Sequence, residues 1–448
     1  MINSLINILF CLLMGGNFPL YLLSQLTGIE NLYANLFSTL GILTFIKNGI
    51  SLNIKKEDFI FFIFISYILI YFLVINGGLD DRWLNYAIDL LKRALAPYIL
   101  GRMIYKHINF KFYKFIFILS IIFIFCLFYF FTLDPQGFFE PRISINKFKE
   151  SGFFSCDCKE PFISSGLTFF ALSIVSFFKI KEKPKIIFLN NKSIIFLFSL
   201  LSLLIIQITN RRNLIAFGLI LITDNFKTIR KYFQLKRPIK DLPKVYLYIL
   251  PIILGTIFFI IIRFNYNRFL HLSELNQITR IFEDSQAICN QIRDYTDYNS
   301  ILQRISYIQS SFSVIKDNFF FGVGPLNLKN YICAQDIKII KDILVHNLEN
   351  EVHPHNIFLH IFTELGFIGF SLFVLNIFLI FNQIRRTLLN TDHMLSHIDK
   401  LLFLLWKFQL IVATMAHAYN NFFFLALTTG ICTSIANKNR KNIKFNTI

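Results

Sequence analysis

Long apolar runs recur along the chain and limit what it can fold into. Residues 59–76 and 115–132, for example, contain no charged residue. An α-helix of roughly 20 apolar residues crosses the hydrocarbon core of a bilayer, and its backbone hydrogen bonds are all made internally. The 448 residues are 55% hydrophobic and only 16% charged, which is more apolar surface than a soluble core requires. These features predict an all-α, polytopic integral membrane protein.

About twelve transmembrane helices are expected. The second and fourth have the weakest patterns, since polar residues interrupt the second while Asp89, Lys92 and Arg93 lie in the middle of the fourth. We expect residues 1–448 to form a single membrane domain, with an external helical loop region, residues 264–355, inserted between transmembrane helices 9 and 10. The predicted spans are 4–22, 28–46, 59–76, 84–105, 112–132, 161–179, 193–209, 212–223, 246–263, 356–381, 401–417 and 420–436.

The distribution of basic residues predicts the orientation of these spans. The net charge is +18, but the lysines and arginines are concentrated in alternate loops. Under the twelve-span interpretation the basic loops, including 47–56, 227–244 and 438–444, all fall on one face. By the positive-inside rule that face is cytoplasmic. Both termini are then cytoplasmic, residues 133–160 and 264–352 are external, and the charge gives no reason to expect a nucleic-acid partner.

The seven cysteines divide in the same way. Cys11, Cys126 and Cys432 fall inside apolar spans, and the other four fall in the two external segments, where disulfides can form. Those four allow three pairings, so their connectivity stays open. The external cysteines are Cys156, Cys158, Cys289 and Cys333.

Two adjacent arginines, Arg211 and Arg212, join two apolar spans with almost no loop between them. Their side chains are expected at the outer boundary of the membrane, where basic residues are normally depleted. One interpretation is anchoring, with the side chains extending outward to water. The other is recognition of phosphate, because the guanidinium donors match phosphate oxygens.

The external loop carries a further candidate, Arg304. Residues 304–312 have the apolar spacing of an amphipathic helix lying on the membrane surface. Gly322 and Gly324 follow it and predict a tight turn. Such a helix would bring Arg304 to the same surface as Arg212.

The run His353-Pro354-His355-Asn356 closes the external loop and opens a long apolar helix. Three interpretations are open for its imidazoles: a structural hydrogen bond at a helix start, a metal site with His360 and Glu364, or a general base. The metal site is disfavoured, because positions 355 and 360 are five apart and point in different directions on a helix. A neutral imidazole can take a proton from a sugar hydroxyl near neutral pH. Asn356 would cap the helix or orient that imidazole.

Together these motifs resemble the O-antigen ligase and O-antigen polymerase superfamily. The similarity lies in their order, their spacing and their shared external face. It rests on Thr209-Asn210-Arg211-Arg212-Asn213, on Arg304 before Gly322-x-Gly324, and on His355-Asn356-x-x-Leu359 followed by Glu364-x-Gly366-x-x-Gly369.

The resemblance implies a GT-C-like glycosyltransferase in the bacterial inner membrane with its active site facing the periplasm. Its donor would be a glycan on an undecaprenyl-diphosphate carrier, and no metal or other cofactor would be required. Arg212 and Arg304 would stabilise the departing diphosphate, and His355 would activate the acceptor hydroxyl with inversion at the anomeric centre. Further substrate-binding candidates are Arg211, His353, Asn356 and Arg142.

Three functions are compatible with these motifs. Ligation of glycan to a lipid A core sugar is favoured because the His-x-His-Asn motif is compact and the external loop modest. Polymerisation of the carrier-linked chain is the closest alternative. A transporter or flippase for a lipid-linked glycan would explain Lys92 and Arg93. Such a protein predicts charged residues along a path through the membrane, whereas the candidate residues here gather on one face.

Overall fold

A computed structural model gives the fold of the chain. It describes residues 2–15, 32–48, 54–76, 81–109, 111–133, 159–178, 191–208, 213, 215–223, 308, 311–328, 331, 356–389, 396–414 and 418–445. Within these ranges the regular structure is helical and there are no strands, so the predicted all-α class is confirmed.

Eleven α-helices with well-defined bounds make up most of the described structure. They are α1 (Ile2–Gly15), α2 (Leu32–Asn48), α3 (Lys56–Asn76), α4 (Asp81–Leu90), α5 (Ala96–Ile104), α6 (Lys111–Leu133), α7 (Lys159–Phe178), α8 (Asn191–Ile208), α9 (Ile357–Leu389), α10 (His397–Ala413) and α11 (Ala418–Phe445). Residues 215–223 and 311–317 are also helical.

Three of these helices are long and apolar enough to cross a membrane. The qualifying segments are Lys56–Ile75, Lys111–Phe128 and Ile357–Arg386. Shorter apolar helices lie at Ile2–Gly15, Leu36–Lys47, Gly166–Phe177 and Ser193–Ile205. A membrane protein is therefore supported. The predicted number of twelve spans stays a prediction, and the ninth predicted span, 246–263, lies outside the described residues.

The predicted fourth span is helical but irregular. A π-helical turn, Leu91–Leu95, separates α4 from α5, and the N–H of Ala96 donates to the carbonyl of Leu91. Pro97 explains the irregularity, because its ring nitrogen has no hydrogen to donate to the carbonyl four residues earlier. Lys92 and Arg93 lie within this turn, and Arg93 pairs at 3.6 Å with Asp89 near the end of α4.

The two helices α5 and α11 approach closely. A Cβ atom added at Gly101 would overlap the carbonyl of Leu427, and one added at Gly430 would overlap the carbonyl of Tyr98. Small residues at a crossing allow two backbones to pack directly, which is a common source of helix association in membranes.

A buried polar network ties this pair to α3. Arg102 Nε lies 2.7 Å from Asp58 Oδ1, and both side chains are less than 10% exposed. Arg102 also donates to Ser434 Oγ at 2.9 Å, and the hydroxyl of Tyr98 donates to Asp58 at 2.8 Å. The ion pair is thus surrounded by further hydrogen bonds, which a buried pair needs in order to be tolerated.

α3 and α9 run antiparallel and place the candidate site at one end of the bundle. Asn376 donates to the carbonyl of Glu57 at 2.8 Å at one end, and Tyr67 donates to the carbonyl of Leu365 at 3.1 Å toward the other. The second end contains the start of α9 and the segment 311–328. It is the end that the charge pattern predicts to be external.

Candidate functional site

Most of the predicted site residues lie outside the described part of the chain. These are His355, Arg212, Arg304, Arg211, His353 and Arg142. Asn356 is described, and so are the segments that adjoin three of the others. Asn213 follows Arg212, the helical residue Ile308 lies four positions after Arg304, and Asn356 follows His355.

Asn356 caps the helix that begins beside His355. Its Oδ1 accepts hydrogen bonds from the backbone N–H groups of Phe358 and Leu359, at 2.9 and 3.1 Å. A side-chain oxygen at this position satisfies N–H groups that have no partner inside the helix. The predicted cap is therefore confirmed, and it fixes where α9 starts.

The helix α9 breaks at Gly366, ten residues after this cap. Gly366 has φ +63° and ψ −166°, values that are not helical. A side chain would be strained there, so glycine is required. A break of this kind frees backbone carbonyl and N–H groups, which must find other partners inside a membrane.

The segment 319–324 supplies those partners. Val323 N donates to Thr363 O at 3.0 Å, and Gly324 N donates to Glu364 O at 2.8 Å. In return, Phe367 N donates to Phe319 O at 2.8 Å and Ile368 N to Phe320 O at 3.3 Å. We call this reciprocal contact between residues 319–324 and 363–368 the glycine clasp.

Two glycines allow the clasp to close. Gly322 has φ +73°, and a Cβ added to it would lie 2.6 Å from the backbone of Glu364 and Gly366. A Cβ added at Gly366 would overlap the carbonyl group of Phe320. Each glycine thus sits against the backbone of the other segment. The tight turn predicted from Gly322 and Gly324 is confirmed.

Two tyrosines of α3 complete the hydrogen bonds of the clasp. The hydroxyl of Tyr71 donates to the carbonyl of Gly322 at 2.9 Å. The hydroxyl of Tyr67 donates to the carbonyl of Leu365 at 3.1 Å. The two rings stack with their centroids 5.6 Å apart. These tyrosines were not predicted as site residues, because nothing in their own segment reveals a partner about 250 or more residues away.

A buried carboxylate adds a side-chain link. Glu364 Oε1 accepts from Leu326 N at 3.1 Å and lies 3.0 Å from His360 Nε2. Both side chains of the Glu364–His360 pair are less than 10% exposed. The sequence had suggested these two residues as candidate metal ligands. The structure pairs them with each other, one helical turn apart, and the described residues contain no group of three or more such ligands.

A small cleft lies next to the Glu364–His360 pair, between α3, α4, the π-helical turn and α9. His360 and Glu364 line one side, and Asp89 and Arg93 line another. Its volume is about 70 Å³. Pockets for small molecules usually measure about 300–1,000 Å³, so this cleft is much smaller than a typical ligand site.

The sequence motifs assign three segments to one site, and the structure shows two of these segments in contact. The clasp fastens the helix after Arg304 to the helix after His355. For the third segment, Asn213 is helical and buried, with an exposed fraction of 1%, and residues 215–223 are helical.

Comparison with known proteins agrees with the motifs. Residues 194–374 match a family model described as O-Antigen ligase. The match runs from α8 into α9 and includes the clasp, and it confirms the predicted resemblance to the O-antigen ligase and polymerase superfamily. No curated protein and no solved structure matches the chain.

Proposed function

We propose that this chain, whose residues 194–374 match the O-antigen ligase family, transfers glycan from an undecaprenyl-diphosphate carrier to a lipid A core sugar hydroxyl at the periplasmic face. The observation that carries the proposal is the glycine clasp. It holds the segment after Arg304 against the helix that starts beside His355, although the two lie some forty residues apart in the chain.

The reaction requires stabilisation of a departing diphosphate, and we assign this role to Arg212 and Arg304. A guanidinium remains protonated at any physiological pH and can donate two parallel hydrogen bonds to phosphate oxygens. Near the low-dielectric membrane interior, such donors stabilise developing negative charge more strongly than they would in water. Arg211, Arg142 and His353 are proposed to bind the remainder of the donor.

We assign the general base to His355. The acceptor oxygen attacks the anomeric carbon from the face opposite the diphosphate, its proton passes to the imidazole, and the bond to the diphosphate oxygen breaks. This sequence inverts the anomeric centre. A general base typically contributes about 10²–10⁴-fold to the rate, so the arginines must supply a large further part.

Asn356 is proposed to act by positioning. Its Oδ1 already accepts two backbone hydrogen bonds at the start of α9. It therefore fixes the chain direction immediately after His355, which would hold the imidazole at a defined height above the bundle.

Complementation tests the proposal. Wild type, His355→Ala, Arg212→Ala and Arg304→Ala are expressed at matched levels in a bacterial host that lacks its ligase, and surface glycan is resolved by gel electrophoresis. Wild type should restore core-attached glycan, and each variant should abolish it while polymer accumulates on the carrier.

The same experiment in a host that lacks its polymerase separates the two closest functions. Restored long chains there, with no ligase complementation, would replace the ligase assignment by polymerase. Full activity in all three variants would remove the catalytic assignment.

A further inference from the structure

Beside the glycine clasp, a side-chain oxygen of Glu364 makes a further link between the two segments. Glu364 Oε1 contacts both Leu326 N, at 3.1 Å, and His360 Nε2, at 3.0 Å. The backbone carbonyl of the same residue accepts from Gly324 N at 2.8 Å. Glu364 therefore touches the 319–328 segment twice and its own helix once.

The hydrogen bond to Glu364 is accompanied by an unusual backbone conformation at Leu326. Leu326 has φ +62°, and among the described residues it is the one non-glycine with a positive φ. Such a conformation costs free energy for a side chain with a Cβ atom, so it persists only where surrounding contacts enforce it. The hydrogen bond from Leu326 N to the buried carboxylate is one such contact.

Burial makes the link sensitive to length. The exposed fraction of Glu364 is 6%, and that of His360 is 5%. A buried carboxylate that loses its hydrogen-bond partners is costly, and water has little access to replace them. A side chain one methylene shorter would withdraw the oxygen from at least one of the two contacts.

We propose that Glu364 is a positioning residue that sets the register between the segment 311–328 and the start of α9. The inference rests on the proposed function, because these segments adjoin Arg304 and His355. It assigns to Glu364 a geometric role, carried by the position of one acceptor oxygen and independent of its negative charge.

Three substitutions separate geometry from charge. Glu364→Gln keeps an acceptor oxygen at the same distance and removes the charge. Glu364→Asp keeps the charge and shortens the reach, and Glu364→Ala removes both. Asp317→Asn is the matched control, because Asp317 is an exposed carboxylate of the same segment that accepts from the hydroxyl of Tyr331 at 3.0 Å.

Two readouts are measured on the full chain in detergent. Hydrogen exchange of peptides covering 319–328 reports the clasp, and steady-state transfer from a polyprenyl-diphosphate-linked glycan reports kcat and KM separately. Glu364→Gln and Asp317→Asn should resemble wild type in both. Glu364→Asp and Glu364→Ala should exchange faster and lose kcat by up to about 100-fold, the size expected when reacting groups are misplaced by about 1 Å. The KM for the donor should change less than threefold.

The proposal predicts a higher kcat and slower hydrogen exchange for Glu364→Gln than for Glu364→Asp. Loss of kcat in Glu364→Gln with normal exchange would show that the charge matters and would overturn the proposal. Unchanged exchange in Glu364→Asp and Glu364→Ala would overturn it too, and so would normal kcat with a loosened clasp. If wild type transfers no glycan, the proposed function fails, and the exchange measurement still tests the link between Glu364 and the clasp.

Discussion

At the scale of single residues, the candidate site depends on a few positions where the backbone departs from a regular helix. Asn356 begins α9, and Gly366 breaks it. Both can be recognised in the sequence, one as a capping residue before an apolar run and the other as a glycine inside that run. Their roles differ. The cap satisfies N–H groups of its own helix, whereas the break frees backbone groups that form hydrogen bonds with a distant segment.

Loss of the cap should weaken the start of α9. Asn356→Ala removes the acceptor for Phe358 N and Leu359 N and should cost about 1 kcal/mol of stability. Asn356→Asp keeps a capping oxygen and serves as the control. Thermal unfolding of the purified protein measures the difference. Equal melting temperatures for wild type and Asn356→Ala would show that the cap has no energetic role.

The glycines of the clasp should tolerate no side chain. Gly322→Ala and Gly366→Ala place a Cβ against opposing backbone at a positive φ, so each should lower the melting temperature and speed exchange across 319–328. Gly218→Ala is the control, since a Cβ added at that helical glycine meets no atom within 4 Å. A tolerated Gly366→Ala variant would mean that the break in α9 is not required.

At the scale of helices, a buried ion pair and the close crossing of α5 and α11 help to hold the bundle together. Asp58 and Arg102 connect α3 to α5 at the end of the molecule opposite the clasp. Asp89 and Arg93 form a second pair, in which Arg93 belongs to the π-helical turn, but their side chains are about half exposed. Because the first pair is buried, its loss should reduce the stability of the protein strongly. The second pair is half exposed, so its loss should change the stability little.

Neutralising each aspartate in turn tests this contrast. Asp58→Asn leaves the Arg102 guanidinium without its buried counter-ion and should destabilise the protein by about 3–5 kcal/mol. Asp89→Asn is the matched control and should cost less than about 1 kcal/mol. Denaturation in mixed detergent gives both values. Similar losses in the two variants would contradict the assignment of Asp58 to the core.

At the scale of the whole molecule, the site is proposed to face outward. The clasp lies at one end of α3 and α9, and residues 54 and 55, which directly precede α3, lie at the other. Phe321 is 57% exposed at the first end, and Ile54 is 59% exposed at the second. The charge pattern predicts that these ends lie on opposite sides of the membrane.

Cysteine labelling in intact cells tests this orientation. Phe321→Cys and Ile54→Cys are made in a background without the natural cysteines, and cells with a permeabilised outer membrane receive a membrane-impermeant maleimide. Residue 321 should react from outside, and residue 54 only after lysis. The reverse pattern would place the candidate site in the cytoplasm and remove the periplasmic assignment.

The helical class, the helix start at Asn356 and the turn at Gly322 and Gly324 could be predicted from the sequence, because each depends on local chemistry. The clasp could not, since it needs four hydrogen bonds between segments about forty residues apart. The same holds for Tyr67 and Tyr71, whose hydroxyls donate hydrogen bonds to carbonyl groups in those distant segments. Pro97 carried a local signal for the irregular turn in the predicted fourth span, although that span was predicted as a single helix.

The most direct test of the central claim is transfer by the purified protein. Wild type and His355→Ala are reconstituted in liposomes with an undecaprenyl-diphosphate-linked glycan and a lipid A core acceptor, and acceptor-linked product is measured by mass spectrometry. We predict product with wild type, and a loss of at least about 100-fold with His355→Ala, within the range of general-base catalysis. Equal product from both proteins would contradict the assignment of His355 as the base.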